Sequence, residues 1–102
     1  MPDPRIFTVE KKAATAVDVG LVSTLILEAN PNRVTVDLVN LSDPAEAMSL
    51  GFGEAAVNGS GDVMTTYGST YHMGTGNLYL GAIYAICPSG GMFMSVSEGE
   101  GI

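Results

Sequence analysis

His72 is the only histidine and Cys87 the only cysteine in the chain, so a thiolate–imidazole nucleophile pair would have to be built from these two. Their sequence surroundings point elsewhere. Cys87 closes the apolar stretch that begins at Leu78, where an unpaired cysteine is a small core residue. His72 stands between Tyr71 and Met73 and reads as a surface or interface histidine, because a metal centre would need further histidine or cysteine ligands. A hydrolase would have to set His72 within hydrogen-bonding reach of a carboxylate such as Asp62. Asn58, Ser60 and Asp62 offer oxygens at alternate positions, as a calcium loop does. Gly59 and Gly61 serve a hairpin turn as well, however, and no acidic residue occupies the twelfth position. Gly74-Thr75-Gly76-Asn77 lacks the lysine and the following helix of a phosphate loop and reads as a turn. These readings predict no catalytic residue, no cofactor and no bound metal.

Arg33 is the residue singled out for an interaction. Residues 1–12 carry Arg5, Lys11 and Lys12 against Asp3 and Glu10, a net charge of +1, whereas the rest of the chain sets Arg33 alone against nine carboxylates, a net charge of −8. Arg33 should therefore pair with a carboxylate. Asp37 on the same strand face is the near candidate, as an exposed pair worth about 0–1 kcal/mol. The planar fork of Arg33 would fix a hairpin or a subunit contact. Arg5, Lys11 and Lys12 mark a basic arm expected to lie across a neighbouring subunit or a larger shell. The acidic body repels phosphate and argues against nucleic acid as a partner; a basic surface on another protein suits it better.

The elements that must position these residues are short strands. Asn30-Pro31-Asn32 is a turn, since Pro31 presets φ and the asparagines can bond local backbone. Val34, Val36 and Leu38 alternate with Thr35 and Asp37 as in a half-buried strand, and the parity break at Val39, Asn40 and Leu41 predicts burial on both faces or a bulge. Thr24-Leu25-Ile26-Leu27 is expected to fold back on that strand as a hairpin partner. Asn40 to Pro44 closes the unit with turn formers. Met48, Leu50 and Phe52 share one face, with Gly51 and Gly53 leaving the other bare. Leu78 to Cys87 reads as a buried strand, Met92 to Ser97 as the last strand, and Glu98 to Gly101 as a solvated tail. Seven to nine short strands separated by Gly, Pro or Asn predict an all-β, antiparallel β-sandwich, jelly-roll-like, as one domain over residues 13–102 behind an extended arm of residues 1–12.

Charged residues make up 15% of the chain against about 25% in an ordinary domain, which predicts an exterior covered in part by other copies or by a larger partner. A single cysteine allows no intrachain disulfide, and the N-terminus has acidic and proline residues where a secretory signal needs a basic and then an apolar region. The longest apolar run is about ten residues against the roughly 20 of a membrane helix, so no membrane role is expected and the chain reads as made in cytoplasm.

Leu27-x-Ala29-Asn30-Pro31-Asn32-Arg33, Asn40-x-Ser42-Asp43, Gly51-x-Gly53, Gly68-Ser69, Gly81-Ala82-Ile83-Tyr84-Ala85-Ile86 and Val96-x-Glu98 together resemble a group of small proteins encoded among tailed-bacteriophage head and tail genes. The resemblance runs from Leu25 to Glu98, and its most specific part is Ala29 to Arg33. It implies a virion component that coats or cements the head, or sits on a fibre or vertex, and it implies no enzyme. The expected partner is the major capsid protein or another virion protein. The expected assembly is a homo-oligomer, with a trimer preferred because decoration proteins often occupy threefold positions. The alternative is a tail or fibre module binding a host-surface glycan, which would need two of Tyr67, Tyr71, Tyr79 and Tyr84 together on an outer face.

Overall fold

The computed structural model describes residues 9–11, 15–42, 46–74, 77–88 and 92–101. Nine strands run through them: β1 (Val9–Lys11), β2 (Thr15–Val19), β3 (Thr24–Leu27), β4 (Arg33–Asn40), β5 (Met48–Phe52), β6 (Val63–Met64), β7 (Thr70–Met73), β8 (Ile83–Ile86) and β9 (Met92–Gly101). They form two antiparallel sheets. Sheet one has the order β1–β9–β4–β7, and sheet two the order β3–β8–β5–β6. β2 also pairs with β9, along Met92 to Val96, while β1 pairs with its far end at Gly99 to Gly101.

The pairings nest. β2 lies with β9, β3 with β8, β4 with β7 and β5 with β6, so the chain is one long hairpin rolled up until successive pairs alternate between the sheets. The β4–β9 and β5–β8 ladders then complete each sheet. This is the double-sheet jelly roll, the all-β sandwich that the strand pattern predicts. Inward residues from both sheets make the core: Val19, Val36, Leu38, Met73, Met94 and Val96 face Ile26, Met48, Leu50, Met64, Ile83 and Ala85. Four of the six methionines are among them, and their flexible thioethers suit the uneven gap between two twisted sheets.

The rolled topology corrects three expectations. β3 is not the hairpin partner of β4; it pairs with β8 in the opposite sheet, and the Asn30 turn is an arch between layers. Ile26, Val36 and Leu38 all need burial, and placing the two strands in facing layers buries all three. The irregularity of β4 falls between Arg33 and Thr35 rather than near Val39 to Leu41, where Asn40 continues the inward parity of Val36 and Leu38. Buried Asn40 is fully used: Nδ2 donates to the Glu46 and Met64 carbonyls at 2.8 Å each, and Oδ1 accepts from the Ser42 amide at 2.9 Å. Third, the tail expected after Ser97 is the continuation of β9.

On the outer side of sheet two, Gly51 admits a folded-back loop. A Cβ at Gly51 would lie 2.5 Å from the Glu54 carbonyl oxygen and 2.8 Å from the Ala56 amide, so the chain at 54–56 rests on the bare backbone.

Candidate functional sites: a buried arginine anchor and an aromatic groove

The alternation that turns Met94 and Val96 inward along β9 turns Glu98 inward as well, and the shift at the start of β4 turns Arg33 to meet it. Arg33 Nε donates to Glu98 Oε2 at 2.6 Å. One terminal nitrogen donates to the Tyr79 and Gly81 carbonyls at 2.7 and 2.9 Å, and the other donates to the Glu28 carbonyl at 2.7 Å. Four of the five guanidinium donors are thereby spent, and three carbonyls in loops gain the partner that a ladder would otherwise supply. Arg33 is 1% exposed. The expected exposed pair with Asp37 is therefore corrected: Arg33 is a buried tie between the β3–β4 arch, the β7–β8 loop and β9.

The same arch is held by Asn30. Its Nδ2 donates to Glu100 Oε2 at 2.7 Å, its amide donates to the Leu80 carbonyl at 2.8 Å, and its Oδ1 accepts from the Asn32 amide at 2.9 Å. A groove of about 360 Å³ runs between residues 26–30 and the Glu98 and Glu100 carboxylates. Glu98 is offset by the Arg33 guanidinium, whereas Glu100 accepts from the neutral Asn30 amide and keeps its charge.

At the opposite margin, edge strand β7 faces β5 and the β5–β6 loop across an open groove of about 410 Å³. The parity that buries Met48 and Leu50 brings Phe52 to this mouth, and that of Met73 brings Tyr71. Tyr79 arrives from the β7–β8 loop. The Phe52 ring centroid is 5.7 Å from that of Tyr71, tilted by 40°, and 5.7 Å from that of Tyr79, edge-on at 75°. Tyr79 is seated on Gly81, where a Cβ would come within 2.6 Å of its Cζ. Asp62 and Asn77 supply the polar rim. Burial pushes the Tyr71 phenol up from its ordinary value, the Asp62 carboxylate pushes it further, and a hydrogen bond with Asn77 pulls it partly back.

His72 meets Asp37, not Asp62. Their Nδ1 and Oδ1 are 2.6 Å apart on the outer face of sheet one, with side chains 60% and 31% exposed. Ser97 stands opposite Asp37 on β9, which puts it two strands, or about 10 Å, from the imidazole. The other ring nitrogen of His72 lies against Gly74, which has no hydroxyl to offer. Cys87 is buried in the core as expected, its Sγ 3.7 Å from Glu46 Oε1. The hydrolase reading therefore has an imidazole–carboxylate pair, and among the described residues neither buried Cys87 nor Ser97 reaches the imidazole. Among the described residues no cluster of three His, Cys, Asp or Glu side chains could hold a metal.

No protein-family profile, curated protein or solved structure matches this chain.

Of the residues singled out for interactions, Lys11 lies in β1 opposite Gly99, so the last part of the arm is laid along β9. Arg5 and Lys12 lie outside the described residues. Asn30 bonds local backbone at Asn32 as its turn position predicts, but Glu98 and Glu100 were missed as partners of the arch because the end of β9 reads as a polar tail. The alternation at Met94 and Val96, carried one step further, was the available signal. The stretch from Leu78 to Cys87 is a strand only at Ile83–Ile86; before it, exposed Leu78 and Leu80 flank a loop whose carbonyls go to Arg33 and Asn30.

Apolar side chains also remain outside. Leu21 and Val22 at the β2–β3 turn are 62% and 74% exposed, and Leu25 and Val57 are exposed too. Leu25 stands opposite Tyr84, and Tyr84 opposite Gly51, while the Ala56 amide donates to Ser23 Oγ at 2.9 Å. Leu25 thus shares a ladder with Tyr84 and Gly51 in sheet two, and Leu21, Val22 and Val57 adjoin in sequence the Ser23–Ala56 hydrogen bond that joins the turn to the loop.

Proposed function

We propose that this chain is a structural subunit of a tailed-bacteriophage virion that decorates or cements the head through contacts with the shell and with its own copies. The observation that carries this reading is the exposed apolar surface of Leu21, Val22, Leu25 and Val57 on a body with few charges. Single exposed apolar residues are ordinary, but four gathered beside one turn and one loop mark a contact surface. The residues that carry the resemblance are the ones that set the scaffold. Asn30 and Arg33 hold the arch, Asn40 and Ser42 close β4, Gly51 admits the folded loop, and Gly81 and Glu98 receive Arg33.

In this reading the basic arm of Arg5, Lys11 and Lys12, whose end at Lys11 runs along β9, reaches from there across a neighbouring subunit or the shell, a trimer is the preferred assembly, and the apolar surface of sheet two meets the major capsid protein. The test is co-sedimentation of the purified chain with emptied, expanded heads of the phage that encodes it, with the oligomer's mass measured in parallel by light scattering. Binding should saturate at a fixed copy number per shell subunit, and the paired change Leu21→Asp and Val22→Asp should abolish it while the fold survives. Unsaturable binding, or full occupancy by the paired variant, contradicts the proposal.

A further inference from the structure

We propose that the groove between Phe52, Tyr71 and Tyr79 is a saccharide-binding site, in which the apolar face of a pyranose ring rests on the aromatic surface and its hydroxyls reach the Asp62 carboxylate and the Tyr71 phenol. Shell attachment is a separate question, because the groove and the Leu21–Val57 surface share no residue. The volume of about 410 Å³ is that of a small-ligand site, and its lining has the composition of one: apolar walls from Phe52, Met73 and Leu78, with few polar groups aimed at the opening.

Two geometric facts select the ligand class. The rings lie 5.7 Å apart, centroid to centroid, and so pack on one another. With planes tilted by 40° and 75° they make a closed cluster, whereas an organic cation needs rings standing apart around it. Among the described lining residues the charged one is Asp62, which accepts hydrogen bonds from neutral hydroxyls and disfavours an anion.

The site is also built in advance. Tyr79 is seated on Gly81, the Asp62 carbonyl accepts from the Leu50 amide at 2.9 Å, and the Asn77 side chain is fixed by the Gly74 amide and the His72 carbonyl at 2.8 and 2.9 Å. A groove fixed before binding loses little freedom on taking a ligand.

Amide chemical shifts of the full chain, titrated with methyl β-glucopyranoside, methyl β-galactopyranoside, N-acetylglucosamine, cellotetraose and chitotetraose to about 20 mM, will report any millimolar Kd. Saturable shifts confined to residues 52, 62, 71 and 77–79 with at least one of these sugars are expected, with Asp62→Ala weakening that sugar about tenfold and Tyr71→Phe less. Asp62 is exposed and Tyr71→Phe keeps the ring, so both variants should retain the native spectrum elsewhere. The proposal is overturned if no sugar moves these amides, if tetramethylammonium moves them at a lower concentration than any sugar, or if Asp62→Ala binds as tightly as the parent chain.

Discussion

β4 carries one member of each of two contacts between a basic and an acidic side chain, four residues apart, and each closes at 2.6 Å. Arg33 points into the end of the sandwich, where the guanidinium is wholly buried and Glu98 nearly so; Asp37 points out, where His72 and its carboxylate both meet water. The distances are equal and the consequences are not. An exposed pair exchanges one set of hydrated states for another, whereas removing one partner of a buried pair leaves a charge that neither water nor protein satisfies. Arg33 also supplies three loop carbonyls, so its loss leaves both a buried carboxylate and unpaired backbone.

The largest effect is expected from Arg33→Ala. It should destabilise the chain by about 3–5 kcal/mol, and urea unfolding followed by circular dichroism measures it. A loss below about 1 kcal/mol would place the two pairs in one class. Arg33→Lys sharpens the comparison, because an ammonium can answer Glu98 but cannot fork to Tyr79, Gly81 and Glu28 together. It should cost about 1–3 kcal/mol, and a cost equal to that of alanine would mean that the charge matters little and the fork nearly everything. For His72→Gln the change should stay within about 1 kcal/mol and shrink as salt is added, and a thermal melt at low and high ionic strength reads both.

The last effect is one of pH. Because the folded Tyr71 phenol sits above its ordinary value of 10.0, the unfolded chain loses that proton first as pH rises. The contribution is whole below that value and drains away as pH climbs toward the raised folded one. Urea midpoints from about pH 9 to 11 should therefore fall less steeply in Tyr71→Phe.

The layered all-β architecture was legible because period-two alternation and turn chemistry are local. Val36 and Leu38, Met48 and Leu50, and Met94 and Val96 declare their faces within a few residues of sequence. Which strand lies beside which was not legible. Leu25 to Leu27 carries no mark that separates a hairpin partner of β4 from a strand of the facing sheet, since both bury Ile26 equally well. Arg33 was visible as the lone cation of the body, but its burial depends on a shift at the start of β4 and on Glu98, 65 residues away. The aromatic groove was half visible. Tyr71 and Tyr79 were among the four tyrosines considered, but Phe52 joins them only through the nesting of β4 with β7 and β5 with β6.

Hydrogen exchange on the chain bound to expanded heads, compared with the free chain, tests most directly whether the apolar side of sheet two is the attachment surface. New protection should concentrate at residues 21–25 and 55–57, with the Tyr71–Tyr79 groove unchanged. Protection that appears elsewhere and spares the Leu21–Leu25 segment would contradict that assignment.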